Sequence, residues 1–273
     1  MQEVQLNTGS ALPVVGFGTW EISGDREAEL AVSSAIACGY RHIDTAKIYG
    51  NERGVGIAIQ KSDIPRSEIF VTTKLWNDDH GYDSAMSALD TSLDKLNLEY
   101  VDLYLIHWPA TKRRHDAWRA LEEQQQLGKA KNIGVSNFTI DHLEQLRAHS
   151  NTMPSVNQVE FHPFIYEQQK PLLDYCREAG VIIEAYSPLS RLKGVSGGEI
   201  HRIAESHHKT PQQIVLRWCL QHNTVPLPRS TNAEHMKQNI EIFDFNLSDE
   251  DMEALNSISD GERVTWDPAG MGS

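Results

Sequence analysis

VDLYLIHWP (101–109) is a strand-like apolar run, broken only by Asp102, that stops at His107. Two earlier stretches behave in the same way. GYRHIDTAKIYGNE (39–52) ends a short run at Asp44 and continues to Tyr49, and FVTTKLW (70–76) delivers Lys74. Ionisable residues that recur where strands stop predict the catalytic face of an eight-fold barrel of βα units. The four side chains also suit one another. A phenol with a pKa of about 10 is a poor acid at neutral pH. A neighbouring ammonium stabilises the phenolate, a carboxylate holds the ammonium, and an imidazole orients the proton's acceptor. Tyr49, Lys74, Asp44 and His107 supply these groups, with Tyr49 as the proton donor whose pKa the lysine lowers.

The rest of the chain repeats the pattern. Strands are expected at Val15–Gly18, His42–Asp44, Ile69–Thr73, Val101–Ile106, Ala130–Val135, Ser155–Val159, Val181–Ala185 and Thr224–Leu227. Helix-period segments such as Glu27–Cys38, Tyr82–Leu96, Ala117–Gln126, Ile140–Ala148 and Gln168–Ala179 lie between them. Thr210-Pro211-Gln212-Gln213 reads as a capped helix start, and Thr139 and Ser248 as further caps. Val4–Leu6 and Leu12–Val14 suggest an N-terminal hairpin closing the barrel's bottom, and Asp249–Ser257 an extra helix before a short C-terminal tail. The expected fold is therefore an α/β (β/α)8 TIM barrel, with residues 1–273 forming one domain.

Composition sets the bounds. The chain has 273 residues, 40% hydrophobic and 23% charged, which suits an ordered globular protein with a sizeable core. A net charge of −13 argues against nucleic acid or an anionic membrane as partner. Cys38, Cys176 and Cys219 fit no metal-ligand spacing and read as reduced thiols. The start, MQEVQLNTGS, has no signal-peptide pattern, and no stretch approaches the ~20 apolar residues of a membrane span. These features predict a cytoplasmic protein.

Five further stretches, GFGTW (16–20), IGVSNF (133–138), VNQVEFHP (156–163), EAYSPLS (184–190) and VPLPRST (225–231), complete a pattern carried in order along the chain. With them the sequence resembles the aldo-keto reductases nearly end to end. Within that family it is similar to the short-loop bacterial branch that includes 2,5-diketo-D-gluconate and methylglyoxal-type reductases. Gly16-Phe17-Gly18 and Gly54-Val55-Gly56 each lack the third small residue of a dinucleotide fingerprint, which disfavours a doubly wound sheet. The resemblance implies instead an extended nicotinamide cofactor across the barrel's C-terminal face, NADPH with NADH also accepted.

By the same resemblance, Thr19, Trp20 and Asp44 lie beside the cofactor, with Asp44 reaching its ribose. Ser136, Asn137 and Gln158 hold the nicotinamide amide and Tyr186 stacks on the ring. Ser187, Pro188, Leu189 and the loop after them border the pyrophosphate. Arg229, Ser230, Thr231, His235, Gln238 and Asn239 belong to the segment that grips the 2′-phosphate. His235 stands where many relatives have a second arginine, and Gln238 where they often have a glutamate. One permanent positive charge is then left beside a histidine, whose charge changes between about pH 5 and 8.

Trp20, Tyr49, Trp76, His107, Trp108 and, from the tail, Trp266 are expected to wall the substrate pocket, whereas Trp118 and Trp218 read as packing. Only the short basic stretch Lys112–His115 separates Pro109 from the following helix, which implies an open pocket for a small carbonyl. The stretch is either a lure for an acidic substrate or a solvated helix start. The leading function is NAD(P)H-dependent reduction of aldehydes or ketones by a monomer, on small dicarbonyls such as methylglyoxal or keto-sugar acids. No metal is required. Two other classes remain open: a metal-dependent hydrolase using His42, Asp44, His107 and His162, and a non-catalytic cofactor-binding subunit on the same fold.

Overall fold

The computed structural model describes residues 2–189, 192 and 198–272. Strands β1 (Glu3–Gln5) and β2 (Ala11–Pro13) pair antiparallel, with Val4 opposite Leu12. Leu6 and Leu12 bury against Phe70, Leu103, Val156 and Val225 near the beginnings of barrel strands. The hairpin therefore plugs the bottom of the barrel, as expected.

The wall is then laid down in chain order. It begins with β3 (Phe17–Gly18), α1 (Asp25–Cys38), β4 (His42–Asp44), α2 (Glu52–Lys61), β5 (Phe70–Leu75), α3 (Tyr82–Leu96), β6 (Val101–Ile106) and α4 (Arg114–Gln126). It continues through β7 (Ala130–Ser136), α5 (Ile140–His149), β8 (Val156–Glu160), α6 (Tyr166–Glu178) and β9 (Ile182–Tyr186). Helices α7 (Glu199–His207) and α8 (Pro211–Gln221) precede β10 (Val225–Leu227), and α9 (Ala233–Ile240) and α10 (Asp249–Asn256) follow it. Every neighbouring pair from β3 to β10 is parallel. The first and last strands meet where the Gly16 and Gly18 N–H groups donate to the carbonyls of Pro226 (3.0 Å) and Pro228 (3.1 Å). A Cβ at position 16 would overlap the side chains of Leu227 and His42, so the closure needs glycine there.

The helices pack their apolar faces on the outside of this wall. Val32, Leu89, Leu121 and Leu143 belong to one buried cluster with Ile43, Val71, Ile106 and Val135. Burial of each such side chain contributes about 1.5–3 kcal/mol. Trp118 and Trp218 are fully buried, in agreement with the packing role expected of them. Thr139, Thr210 and Ser248 each close a capping box on the helix that follows. No helix among the described residues is long and apolar enough to cross a membrane. The three cysteines are free, two of them buried.

Helix α2 shows what Gly54 and Gly56, which lack the third small residue of a dinucleotide fingerprint, do instead. A Cβ on Gly54 would collide with the backbone carbonyl of Asp25, and one on Gly56 with that of Leu96. These glycines let α2 approach the start of α1 and the end of α3 at backbone distance. Helix α4 begins at Arg114, earlier than expected, because this arginine turns inward. It donates to the carbonyls of Thr111 (3.0 Å) and Gly272 (3.0 Å) and to Gln145 Oε1 (2.6 Å). The basic stretch Lys112–His115 thus includes an anchor for the C-terminal tail and is not a uniform solvated run.

Candidate active site

Strand ends aim the polar residues at one mouth. Lys74, on β5, is completely buried, and its ammonium donates to Asp44 Oδ1 (2.6 Å), Thr45 O (2.8 Å) and the Tyr49 hydroxyl (3.3 Å). All three of its hydrogens are then committed. The Tyr49 hydroxyl accepts from Lys74, and its own hydrogen is uncommitted among the described residues. Asp44 places its other oxygen, Oδ2, 2.8 Å from the Gln158 amide nitrogen that donates to it.

Tyr49 sits in a short 3-10 turn, Lys47–Tyr49, that Asn51 secures. The buried Asn51 amide donates to Thr19 O (3.0 Å) and Ile22 O (3.0 Å), while its oxygen accepts from the Thr45 hydroxyl (2.9 Å). Asn51 thereby ties the loop after β3 to the loop after β4. Thr19 adds two bonds from its N–H and hydroxyl to Asp44 O, each 3.0 Å.

The electrostatics differ from the sequence reading in one respect. Burial raises the Tyr49 phenol above its ordinary value, and the Lys74 charge opposes this without overcoming it. The free chain therefore keeps its phenol protonated. Burial pulls the Lys74 ammonium down, but Asp44 and Tyr49 outweigh it and the net direction is up. His107 is held well below its usual value by burial and by the Lys74 charge, so its ring is neutral. Its Nδ1 is buried without a hydrogen-bond partner. An unpaired acceptor is tolerated better there than an unpaired donor, which puts the ring hydrogen on Nε2.

Aromatic rings border the mouth. The Tyr49 ring lies 4.9 Å from Trp20 and 5.7 Å from His107, whose ring is 5.3 Å from Trp76. Trp108 and Trp266 pair at 5.6 Å. Of the six residues expected to wall the pocket, Trp20, Tyr49, His107 and Trp76 form one contiguous set of rings, and Trp108 and Trp266 form a separate pair. Trp20 and Trp266 stay 53% and 65% exposed, which leaves the mouth open.

Ser136, Asn137 and Gln158 adjoin one another at the ends of β7 and β8. The Ser136 hydroxyl (2.8 Å) and the Asn137 N–H (2.9 Å) both donate to Gln158 O. Asn137, in the left-handed region at φ 63°, donates its amide to His107 O (3.0 Å) and accepts from the Tyr186 hydroxyl (2.8 Å). The Gln158 amide gives both hydrogens away, to Asp44 and to Glu184 Oε2 (2.8 Å), and its carbonyl oxygen takes no hydrogen bond among the described residues. Ser187, Pro188 and Leu189 follow β9 directly, whereas residues 190, 191 and 193–197 beyond them fall outside the described residues.

Sequence reading missed three groups here. Asn51, Glu160 and Glu184 stood in the quoted stretches 39–52, 156–163 and 184–190 with no role of their own. Burial, with repulsion from Asp44, pushes the Glu184 carboxyl from 4.5 up to about 8. A charged-looking residue inside a short apolar strand was its one available signal. The segment after β10 brings a further correction. Arg229 pairs with Glu21 Oε2 at 2.9 Å, so its charge is already answered by an acid that the sequence reading did not consider. Ser230 and Thr231 lie beside it, the Glu234 and His235 N–H groups donate to Asn232 Oδ1, His235 is exposed, Gln238 donates to Glu234, and Asn239 is buried.

The metal-site grouping is not assembled. His42 faces Thr72 and Glu184, and His162 faces Glu160. No cluster of three or more His, Cys, Asp or Glu among the described residues could hold an ion.

A family model described as the aldo/keto reductase family matches residues 14–260. The chain belongs to this family. It is 45% identical over 265 residues to glyoxal reductase of Bacillus subtilis (strain 168), covering 97% of this chain and 95% of that protein. Identity is 43% over 271 residues to the 9,11-endoperoxide prostaglandin H2 reductase of Trypanosoma cruzi (strain CL Brener), at 97% and 94% coverage. Among solved structures, an aldo-keto reductase of Bombyx mori in complex with NADP superposes with a TM-score of 0.91 at 36% identity, over 97% of this chain and 94% of that one. As an aldo-keto reductase the chain is an oxidoreductase, built on the barrel that its strand ends foretold.

Proposed function

We propose that this aldo-keto reductase reduces a small aldehyde or ketone to the alcohol with NADPH, accepting NADH as well, and that Tyr49 donates the proton. The observation that carries the reading is the commitment of all three Lys74 hydrogens. The phenol must accept from Lys74, so its own hydrogen faces the mouth. The bound nicotinamide supplies the hydride.

The residues present fit such a group. The uncommitted carbonyl oxygen of Gln158 is an acceptor for a carboxamide, with Ser136 and Asn137 adjoining it and Tyr186 offering an aromatic face. Ser187, Pro188 and Leu189 border the pyrophosphate in this reading, and Arg229, Ser230, Thr231 and His235 face the 2′-phosphate. The described similarity to a structure holding NADP supports the same assignment. Neutral His107 directs an Nε2–H at the carbonyl oxygen and orients it toward Tyr49. As the proton leaves, Lys74 stabilises the phenolate, and Asp44 keeps Lys74 in place. Trp20, Trp76 and Trp108 exclude water from one side.

The open mouth favours a short dicarbonyl such as methylglyoxal, or a keto-sugar acid. A relative that is named a glyoxal reductase supports this class. Tyr49→Phe removes the donated hydrogen and keeps the ring. Followed by the loss of reduced-nicotinamide absorbance with methylglyoxal and an aldehyde panel, this variant should lose about 10²–10⁴-fold in rate while binding dinucleotide normally. Retention of most of the rate would overturn the assignment.

A further inference from the structure

Beside the proposed nicotinamide site runs a chain of side-chain hydrogen bonds that is one hydrogen short. The Tyr186 hydroxyl meets Asn137 Oδ1 (2.8 Å), the Tyr186 and Thr265 hydroxyls meet each other (2.8 Å), and the Thr265 hydroxyl meets Glu160 Oε2 (2.6 Å). The Asn137 amide is oriented by His107 O, to which its nitrogen donates, so Oδ1 can only accept. Tyr186 must therefore donate to it.

Glu160 is also an acceptor. It receives the Val264 N–H (2.7 Å) and the Thr265 N–H (3.3 Å), and Arg263 lies 3.8 Å away. Burial opposes its charge, but hydrogen bonds from His162, Thr265 and Val264 outweigh burial and keep the carboxyl below its usual range. Thr265 must then donate to Glu160. Each hydroxyl has one hydrogen, both are spent outward, and none remains for the contact between the two oxygens.

We propose that Thr265 is a positioning residue which couples cofactor occupancy to the C-terminal strap, residues 263–266, that carries Trp266. An N–H from the carboxamide, donated to Asn137 Oδ1, frees the Tyr186 hydrogen to turn onto Thr265. All the contacts are then satisfied, and the strap is held against the mouth where Trp266 meets Trp108. Linkage makes the effect reciprocal: what tightens the strap also tightens the dinucleotide. The inference rests on the proposed placement of the carboxamide beside Asn137.

Hydrogen exchange of the strap peptide tests it without turnover. Adding NADP⁺ to the wild-type protein should slow exchange at Val264 and Thr265 by about fivefold, the worth of one hydrogen bond. The 3-acetylpyridine analogue of NADP⁺ lacks the carboxamide N–H and should bind without slowing exchange. Thr265→Val should bind NADP⁺ about fivefold more weakly, since the displaced Tyr186 hydrogen then has no acceptor, whereas Tyr186→Phe, with Asn137 Oδ1 already free, should bind it as the wild type does; both should abolish the slowing, and the double variant should regain the affinity of Tyr186→Phe. Equal slowing by NADP⁺ and its analogue, or slowing that survives in Thr265→Val, would overturn the coupling while leaving the reductase reading intact. Failure of the wild-type protein to bind either dinucleotide would overturn both.

Discussion

Glu184→Gln replaces the fully buried acid of β9 with a neutral side chain of the same size. In the folded protein this carboxyl has moved from 4.5 to about 8, through burial first and Asp44 second. Below about pH 4.5 it is protonated in both folded and unfolded chains and has no effect on the slope of stability. Between there and about pH 8 the unfolded chain releases a proton that the folded chain retains, so stability falls as pH rises, and above about 8 it levels off. At about 1.4 kcal/mol per pH unit, the loss reaches about 3 kcal/mol at pH 7 and about 5 kcal/mol by pH 9. The variant has no proton to lose.

Urea unfolding of dinucleotide-free protein at about pH 5, 7 and 9 measures this directly, since every other titrating group is shared by the two proteins. The difference should swing by several kcal/mol in favour of Glu184→Gln over that range. Parallel stability curves would refute the argument, by showing that water or relaxation relieves the buried charge. The same ionisation places a negative charge beside Gln158, so the wild-type rate should decline near pH 8 and the variant's should not.

Lys74→Met should cost about 10²–10⁴-fold in kcat/KM and also destabilise the fold by about 3–5 kcal/mol, because Asp44 is left buried without its partner; near-normal turnover in a folded variant would contradict the role of the ammonium. Trp108→Ala and Trp266→Ala should shift KM among carbonyl compounds more than dinucleotide affinity, and should combine non-additively because their rings touch; uniform effects on every substrate would count against a pocket wall. Glu21→Gln should free Arg229 and raise the NADPH-to-NADH efficiency ratio by about two- to fivefold at low salt, the worth of an exposed pair. His235→Arg should raise the ratio further, because arginine carries a permanent charge. An unchanged ratio in both variants would remove this segment from the 2′-phosphate.

What sequence revealed and what it concealed divide along physical lines. Asp44, Tyr49, Lys74 and His107 were legible because each interrupts or ends an apolar run, and Thr139, Thr210 and Ser248 because a cap bonds only within its own turn. Asn51, Glu160 and the pairing of Glu21 with Arg229 were not, since each acts through a partner distant in sequence. The packing role of Gly54 and Gly56 was hidden for a related reason. A glycine that admits a neighbouring backbone and one that admits a phosphate have the same sequence signature, and only the third dimension shows which is present.

Pro226 and Pro228 accept the hydrogen bonds that close the barrel and, having no N–H, can return none. In a β-strand the amide nitrogen and carbonyl of one residue point toward the same neighbour, so both proline nitrogens face the first strand without a hydrogen to offer. The seam is a ladder with rungs in one direction only, and it joins segments from opposite ends of the chain. Such a join is slow to form during folding, because the intervening chain must first be looped back. It is also the place where heat or urea would part the wall first. Glu21 and Arg229 reach across it from either side. An elongated ligand lying over the same line would act as a suture, so resistance to proteolytic nicking at this edge should report occupancy locally, where a melting temperature would report it only for the whole protein.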